Sequence, residues 1–393
     1  MRSAAVVGTG MMGTSVALSL ARRGVAVHLI DENESAARTA ASLGAGVVGR
    51  PGGPVDLAVL AVPPTQVGAV LAAQQAQGLA RAYTDVASVK TGPELSVSAH
   101  GGDAGTFIGG HPMAGRERSG PLAACATLFE GRTWVLTPTG ATSRDTLNTG
   151  LMLISMCGAV PVVMDSRAHD LAVARVSHTP HVLSSLLAAR LEHLQGDAAR
   201  LAGQGLRDMT RIAGGDPRLW SDILESNATA VADVLTELSE DLAVAVAALR
   251  GLTADDADER AQGTTLLADL LGRGRTGRER IPVKYGHSVP SCKAVRILIG
   301  DQPGELSRLL QNVAELDVNV EDMTIDHSPG EQSGLVELLV PRSSVPTMDA
   351  RLRGAGWRVQ SLVPEGTARR QASVPDPDTF LSVPPMRSEK REP

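Results

Sequence analysis

The feature that most constrains this chain is a glycine-rich turn near its start, Gly8-Thr9-Gly10-Met11-Met12-Gly13. The turn follows a short apolar run, Ala4 to Val7, and precedes a stretch with helical periodicity that reaches Arg22. Three glycines at this spacing let the backbone turn tightly, approach a pyrophosphate and pack helix against strand. The helix N-terminus then faces the phosphates. The sequence therefore predicts that the chain begins with a dinucleotide-binding βαβ unit.

An acidic residue, Asp31, closes the next apolar run, Val25 to Ile30. Its position is close to the offset of about 20 residues at which these folds place a carboxylate on the ribose. A carboxylate can accept hydrogen bonds from both ribose hydroxyls but repels a 2′-phosphate, and no Arg follows within 32–34 to bind one. The pattern favours NAD over NADP, although Asp31 could instead cap the next helix. The predicted cofactor-binding set is Gly8, Gly10, Met11, Met12, Gly13, Asp31, Val62, Pro63 and Ser88.

Two domains follow from the hydrophobic pattern of residues 1–285. Short β-like runs alternate with amphipathic helical stretches over 1–165, which predicts an α/β Rossmann domain with a doubly wound parallel sheet. Long Leu/Ala helical patterns dominate 166–285, which predicts an all-helical substrate and dimerisation domain. The run from Asp222 to Arg250 is long enough to pack against a second subunit, so a homodimer is expected.

The rest of the chain divides into three parts. A Gly-, Arg- and Pro-rich stretch, 272–290, is interpreted as a linker. Residues 291–363 combine predicted strands and a helix in a small α+β domain with a turn at 300–304. Residues 364–393 are predicted to be a disordered tail.

Composition excludes several function classes. The chain has 37 basic and 43 acidic residues, and no dense basic face is visible, so no nucleic-acid partner is expected. No segment approaches about 18 consecutive apolar residues, so no membrane span is expected. Its three cysteines, Cys125, Cys157 and Cys292, are widely spaced, which favours free thiols in a cytoplasmic protein over disulfides or a zinc site.

Three further segments contain candidate catalytic and substrate-binding residues. The first two, 85–90 and 110–117, each follow a predicted strand, where ligands of open α/β sheets collect. The third begins at Ser177-His178-Thr179-Pro180-His181 and continues to 208–213 in the helical region. Ser177 and His181 are one helical turn apart.

In this order after the fingerprint, these segments resemble the prephenate and arogenate dehydrogenases of tyrosine biosynthesis over residues 1 to about 285. The resemblance implies NAD-dependent oxidative decarboxylation of prephenate to 4-hydroxyphenylpyruvate, with arogenate as the alternative substrate. Residues 291–363 resemble an ACT domain through 301–306, which implies an amino-acid effector such as tyrosine. A structural or dimerisation role for that domain stays open.

The resemblance also implies roles for individual residues. His111 matches the family's catalytic histidine, which hydrogen-bonds and polarises the substrate's 4-hydroxyl. Ser88 matches a serine that orients this histidine and touches nicotinamide or substrate, and Arg211 matches an arginine that holds a substrate carboxylate. The expected substrate-binding residues are His181, Ser177, Arg116 and Glu117. No metal is implied.

Each assignment has a structural alternative. His111 could be a loop histidine beside Pro112, Ser88 could be a helix N-cap, and Arg211 could pair only with Asp208 on a helix surface. His178 could be packed or bonded to backbone, Glu117 could be a solvated surface residue, and Trp220 is expected in the core.

Two other functions are compatible with parts of this pattern. β-Hydroxyacid and imine reductases share this layout, but the β-hydroxyacid enzymes use a lysine early in the helical domain, and no Lys lies between Lys90 and Lys284. A non-catalytic regulator that senses nucleotide and amino acid would not need His111, Ser88 and Arg211 together.

Overall fold

The computed structural model describes residues 1–115, 119–194, 201–281, 292–327 and 333–360. The chain divides into two compact units, Met1–Arg278 and Glu279–Pro393. Each unit is described by itself.

The first unit is built on an eight-stranded sheet. Its strands are β1 (Ser3–Val7), β2 (Ala26–Ile30), β3 (Val47–Val48), β4 (Val55–Leu60), β5 (Ala80–Asp85), β6 (Phe107–Pro112), β7 (Thr133–Thr137) and β8 (Val160–Val163). They lie in the order β3-β2-β1-β4-β5-β6-β7-β8. All neighbours are parallel except β6 and β7, which run antiparallel. The predicted doubly wound sheet is confirmed, with one reversal after β6.

Helices cover both faces of this sheet. They are α1 (Met11–Ala21), α2 (Glu34–Ser42), α3 (Val67–Ala76), α4 (Thr91–Ala99) and α5 (Arg144–Met156). Because strand side chains alternate between faces, Ala4 and Val6 of β1 join one apolar core, whereas Ala5 and Val7 join the other. This burial on both faces explains why the strands are almost continuously apolar.

The rest of the first unit is helical. It contains α6 (Ser166–Val173), α7 (Thr179–Ala189), α8 (Gln204–Thr210), α9 (Pro217–Ser226), α10 (Ala228–Gly251) and α11 (Ala257–Glu279). A π-helical turn, Ala174–His178, joins α6 to α7. Pro180, the second residue of α7, has no N–H to donate within a helix. The run expected from Asp222 to Arg250 is divided at Asn227 into α9 and α10.

The interpretation of 272–290 as a linker is wrong for its first part, because α11 continues to Glu279. Ion pairs stabilise this glycine-containing end of the helix. Arg273 donates to Asp269 one turn earlier and, at 2.8 Å, to Asp241 of α10. Residues 282–290 lie outside the described residues.

The second unit contains a four-stranded antiparallel sheet. Its strands are β9 (Cys292–Gly300), β10 (Asp322–His327), β11 (Ser333–Pro341) and β12 (Arg358–Gln360), and its helices are α12 (Glu305–Ala314) and α13 (Val345–Gly354). The strand order β10-β11-β9-β12 and the β-α-β-β-α-β succession are those of a ferredoxin-like unit. The small α+β domain is confirmed. The sequence did not predict α13 and β12. The predicted tail, 364–393, lies outside the described residues.

Among the described residues, no helix combines the length and the apolar character needed to cross a membrane.

Candidate active site

The glycine-rich turn between β1 and α1 has the shape of a nucleotide cradle. Gly8 has a φ of +95°, and a Cβ there would collide with the carbonyl oxygen of Ala61. A Cβ at Gly13 would collide with the carbonyl oxygen of Gly8, so both positions require glycine. A Cβ at Gly10 would meet no described atom within 4 Å, which leaves the turn open to a ligand.

The N-terminus of α1 faces this opening. Its N-cap is Gly10, which offers no side-chain cap to the first turn. The first N–H groups of a helix have no partner within it, and they carry the positive end of the helix dipole. The amides of Met11, Met12 and Gly13 are therefore suited to a phosphate, and Val62 and Pro63 follow β4 beside the same turn.

Asp31 lies at the carboxyl end of β2 and is tied to the glycine-rich turn. Its Oδ2 accepts hydrogen bonds from the Thr9 amide at 2.5 Å and the Thr9 hydroxyl at 2.7 Å, and its Oδ1 accepts from the Asn33 amide at 2.8 Å. The N-cap of α2 is Asn33, so the alternative role of Asp31 as that cap is wrong. Three of the roughly four acceptor positions of the carboxylate are thus used within the protein.

His111 lies in β6, two strands beyond β4 in the sheet, and is only partly buried. Its Nδ1 lies 2.8 Å from Nε2 of His169 on α6, and the two rings meet edge to face. His111 is therefore a strand residue held by a residue of the helical region, and not a loop histidine. Its Nε2 is the ring nitrogen left for a ligand.

His169 in turn contacts Asp170. Nδ1 of His169 lies 2.8 Å from Oδ1 of Asp170, and both residues are buried. The sequence did not predict this pair; the resemblance implied that Ser88 orients His111. A His-Asp dipeptide within an otherwise Leu/Ala-rich helix was the available signal, but its partner is 58 residues away along the chain.

Asp170 also fixes the segment that carries Ser88. Oδ1 of Asp170 accepts from the Lys90 amide and Oδ2 from the Thr91 amide, each at 2.8 Å. These amides lie at the start of α4, two and three residues after Ser88. The N-cap position of α4 is occupied by Lys90, so the reading of Ser88 as that cap is wrong. One carboxylate therefore joins the helical region to the start of α4 directly and to His111 through His169.

A second acidic residue holds the backbone of β6 next to His111. Oδ1 of Asp85 accepts from the Gly110 amide at 2.7 Å and from the Lys90 ammonium at 2.5 Å. The ammonium also donates to the Gly110 carbonyl at 2.7 Å. Burial raises the pKa of the Asp85 carboxyl and lowers that of Lys90, while the opposite charge of each partner counteracts these shifts. Both polar groups of the Gly110 backbone are thus fixed by side chains.

Burial also sets the charge of the histidines. It lowers the pKa of His111 well below the ordinary value, and the nearby positive charge of Lys90 lowers it further. His111 is therefore neutral at neutral pH. Burial opposes ionisation of Asp170, but hydrogen bonds from His169, Thr91 and Lys90 keep its pKa below the ordinary value. A neutral base and a charged carboxylate thus lie at opposite ends of the contact chain.

The helical region contributes two buried histidines, His178 and His181. His181 of α7 is buried and stacks on Trp220 of α9 with 3.5 Å between ring centroids, and its Nδ1 has no hydrogen-bond partner among the described residues. Such an orphaned polar atom fits a ligand-binding surface. His178 is also buried, and its Nδ1 lies 3.1 Å from the Asn227 amide nitrogen. Trp220, expected in the core, is only partly buried.

The remaining predicted residues lie either in neighbouring helical segments or outside the described residues. Ser177 lies in the π-helical turn that precedes α7 and is partly buried. Arg211 begins the 3-10 turn Arg211–Gly214 after α8, and this turn packs on α7. Arg116 and Glu117 lie outside the described residues, so their placement stays a prediction.

Two family profiles match the first unit. The profile described as prephenate dehydrogenase, nucleotide-binding domain, matches residues 16–163. The profile described as prephenate dehydrogenase, dimerization domain, matches residues 165–262. The boundary between the matches falls between β8 and α6.

Individual proteins agree with the profiles. A protein of Streptomyces niveus named probable prephenate dehydrogenase NovF is 39% identical over 363 residues, which are 92% of this chain and 100% of that protein. The crystal structure of prephenate dehydrogenase from A. aeolicus in complex with hydroxyphenyl propionate and NAD+ is 28% identical, with a TM-score of 0.62 over 72% of this chain and 99% of the other. Synechocystis arogenate dehydrogenase is 27% identical, with a TM-score of 0.57 over 70% of this chain and 99% of the other.

Proposed function

This chain belongs to the prephenate dehydrogenase family, and from that premise we propose how its own residues carry out the reaction. The chain is an NAD-dependent oxidoreductase that converts prephenate to 4-hydroxyphenylpyruvate and CO2 as NAD+ is reduced to NADH. The observation that carries the proposal for its site is the half-buried His111, whose one ring nitrogen is held by His169 while the other is left for substrate.

The cofactor is held by the turn between β1 and α1. The amides of 11–13 bind the pyrophosphate, and Gly8, Gly10 and Gly13 give it room. Asp31 accepts a ribose hydroxyl, but accepting both hydroxyls requires release of Thr9 or Asn33, since three of about four acceptor positions are used. Val62, Pro63 and Ser88, at the ends of neighbouring strands, complete the site. When bound, NAD+ accepts the hydride that leaves the substrate ring.

His111 is the base. A neutral imidazole accepts a hydrogen bond from the 4-hydroxyl through Nε2, which raises the electron density on the ring carbon that loses the hydride. Loss of CO2 then leaves its electron pair in the ring, which becomes aromatic. The hydroxyl proton taken up by His111 is returned to the phenolic oxygen, so the overall reaction releases no proton.

The rest of the substrate lies against the helical region. Arg211 binds a substrate carboxylate through its forked guanidinium, and the unpartnered Nδ1 of His181 faces the polar part of the substrate. Ser177 and Ser88 supply hydroxyls on two sides of this space. The resemblance adds Arg116 and Glu117 to the substrate contacts.

Arogenate is the second candidate substrate, favoured by the similarity to Synechocystis arogenate dehydrogenase. The two substrates differ only in a keto or an amino side chain. The choice between them therefore depends on the side chain that contacts the keto or amino group.

Assembly and regulation follow the same premise. The dimerization-domain profile covers α10, whose exposed Leu242, Val246 and Leu249 recur at helical spacing, and this supports a homodimer. The β-α-β-β-α-β succession of the second unit supports an ACT-like role with tyrosine or another amino acid as effector. Unchanged tyrosine inhibition after deletion of 291–363 would refute that role.

The function is tested by following NADH absorbance with prephenate and NAD+. We expect turnover by the wild-type enzyme and, for His111→Asn, a kcat lower by about 100-fold or more with intact NAD+ binding. Comparison of kcat/KM for prephenate and arogenate on one preparation assigns the substrate. Absence of turnover with both substrates, while tyrosine still binds, would favour the sensing regulator.

A further inference from the structure

The side chains of His111, His169 and Asp170 form a hydrogen-bonded row. The row leads away from the ring nitrogen of His111 that is left for substrate. His111 Nδ1 and His169 Nε2 are 2.8 Å apart, and His169 Nδ1 and Asp170 Oδ1 are also 2.8 Å apart. His169 and Asp170 are 1% and 5% exposed, so solvent does not compete for these contacts. The row ends on a carboxylate that two backbone amides also hold.

The protonation state of the row follows from its acceptor end. Ionised Asp170 can only accept, so Nδ1 of His169 carries a proton. When His169 is neutral, its Nε2 must accept from Nδ1 of His111. Nε2 of His111 then has a free lone pair, which is the form that a base for a hydroxyl requires. Asp170 therefore selects the tautomer of His111 through His169.

The row also offers a more favourable place for the positive charge that His111 gains. A positive charge on the His111 ring is unfavourable because the ring is desolvated and Lys90 lies nearby. Both effects lower the pKa of His111. A positive charge on His169 is adjacent to a carboxylate instead. The charge is thus more stable one ring further from the substrate.

We propose that His169 and Asp170 form a proton relay behind His111, which positions its tautomer and carries the charge that it gains. The relay rests on the proposed function for its substrate. The substrate O–H bond breaks and its proton binds Nε2 of His111, while the Nδ1 proton of His111 moves to Nε2 of His169. No electrons are transferred, and the reverse movement restores the proton after the ring becomes aromatic.

The groups that face this row are few among the described residues. From the helical side they are Asp170 and His178, and from the sheet side they are Lys90 and Asp85. Lys90 and Asp85 are paired with each other, so their charges largely cancel at His169. Within the part of the chain that the structure describes, Asp170 is the one carboxylate in hydrogen-bond contact with either ring.

Kinetics distinguish a relay from a merely structural role. In His169→Gln the amide can still accept from His111 but cannot take up a proton. We expect kcat to fall about 100-fold with little change in KM, and the acid limb of the kcat/KM profile to move to lower pH. Asp170→Asn keeps the size of the side chain and should move the limb in the same direction. A lower activity with an unmoved acid limb, or an unchanged kcat, overturns the relay.

Asp56→Asn is the matched control. Asp56 also accepts from two backbone amides, those of Arg2 and Ser3, but it is remote from His111. Its loss should alter stability without changing the pH profile.

A second readout does not need turnover, so it tests the relay even if prephenate is not the substrate. In ¹⁵N-histidine-labelled wild-type enzyme, the ring signals are assigned by comparison with His111→Asn and His169→Gln. His169 should be protonated at Nδ1 at neutral pH. His111 should carry its proton at Nδ1 and not at Nε2. A neutral His111 that carries its proton at Nε2 overturns the relay.

Discussion

Lys90 and Asp85 form an ion pair in which both side chains are completely buried, with 2.5 Å between Nζ and Oδ1. Because both partners also hold the backbone of Gly110, the pair connects the end of β5 to the strand that carries His111.

Lys90→Met should lower the free energy of unfolding by about 3–5 kcal/mol, because it leaves the Asp85 charge buried without its partner. Replacement of both residues in Lys90→Met/Asp85→Leu should recover part of that loss, since no charge then stays buried. Urea unfolding of the two single variants and the double variant measures this coupling. Arg38→Met is the control, because its pair with Glu34 is exposed and should contribute under about 1 kcal/mol. Equal losses at Arg38 and Lys90 would contradict the argument.

Asp31→Asn should weaken NAD+ binding by about tenfold or more, because a charge-assisted hydrogen bond contributes about 1.5–3 kcal/mol. The amide oxygen can still accept from Thr9, so the glycine-rich turn should keep its shape. Without the carboxylate, the ratio of the NAD+ affinity to the NADP+ affinity should fall. Calorimetric titration of both nucleotides measures the ratio, with Glu34→Gln on α2 as the control. An unchanged ratio of the two affinities would remove Asp31 from cofactor selection.

The sequence predicted those parts of the site that depend on local pattern. The glycine-rich turn, Asp31 and the strand that precedes the 110–117 segment all follow from residues that are near one another in the chain. The contacts that organise His111 do not, because His169 is 58 residues from His111 and Asp170 is 80 from Lys90. Only the packing of α6 against the sheet brings them together. The end of α11 was missed for a similar reason, since its glycines favour a loop while the ion pair to Asp241 stabilises a helix.

The stability of the protein should depend on pH through His178. Burial lowers the pKa of this histidine from 6.5 to about 4, so between these values the unfolded chain binds more protons than the folded one. Stability is therefore full above about pH 6.5 and is lost as pH falls toward 4, by up to about 3 kcal/mol from this residue. Burial lowers the pKa of His111 and His181 as well, which adds to the same trend.

His178→Gln removes the titrating ring while leaving an amide that can contact Asn227. Urea unfolding at pH 7.5 and pH 5 should show a smaller difference for this variant than for wild type. His100→Gln, at an exposed position, should keep the wild-type difference. A His178→Gln protein that loses as much stability at pH 5 as wild type would show that other groups control the acid limb.

Dimerisation should depend on the exposed apolar stripe of α10. Leu242 and Leu249 are 64% and 55% exposed in the single chain, and they lie on the face that also carries Val246. Leu242→Asp/Leu249→Asp would bury two charges in any interface on this face, so light scattering after size exclusion should change from a dimeric to a monomeric mass. Leu122→Asp changes a more exposed leucine of the nucleotide-binding domain and should leave the mass dimeric. A dimer that survives both α10 substitutions would place the interface elsewhere.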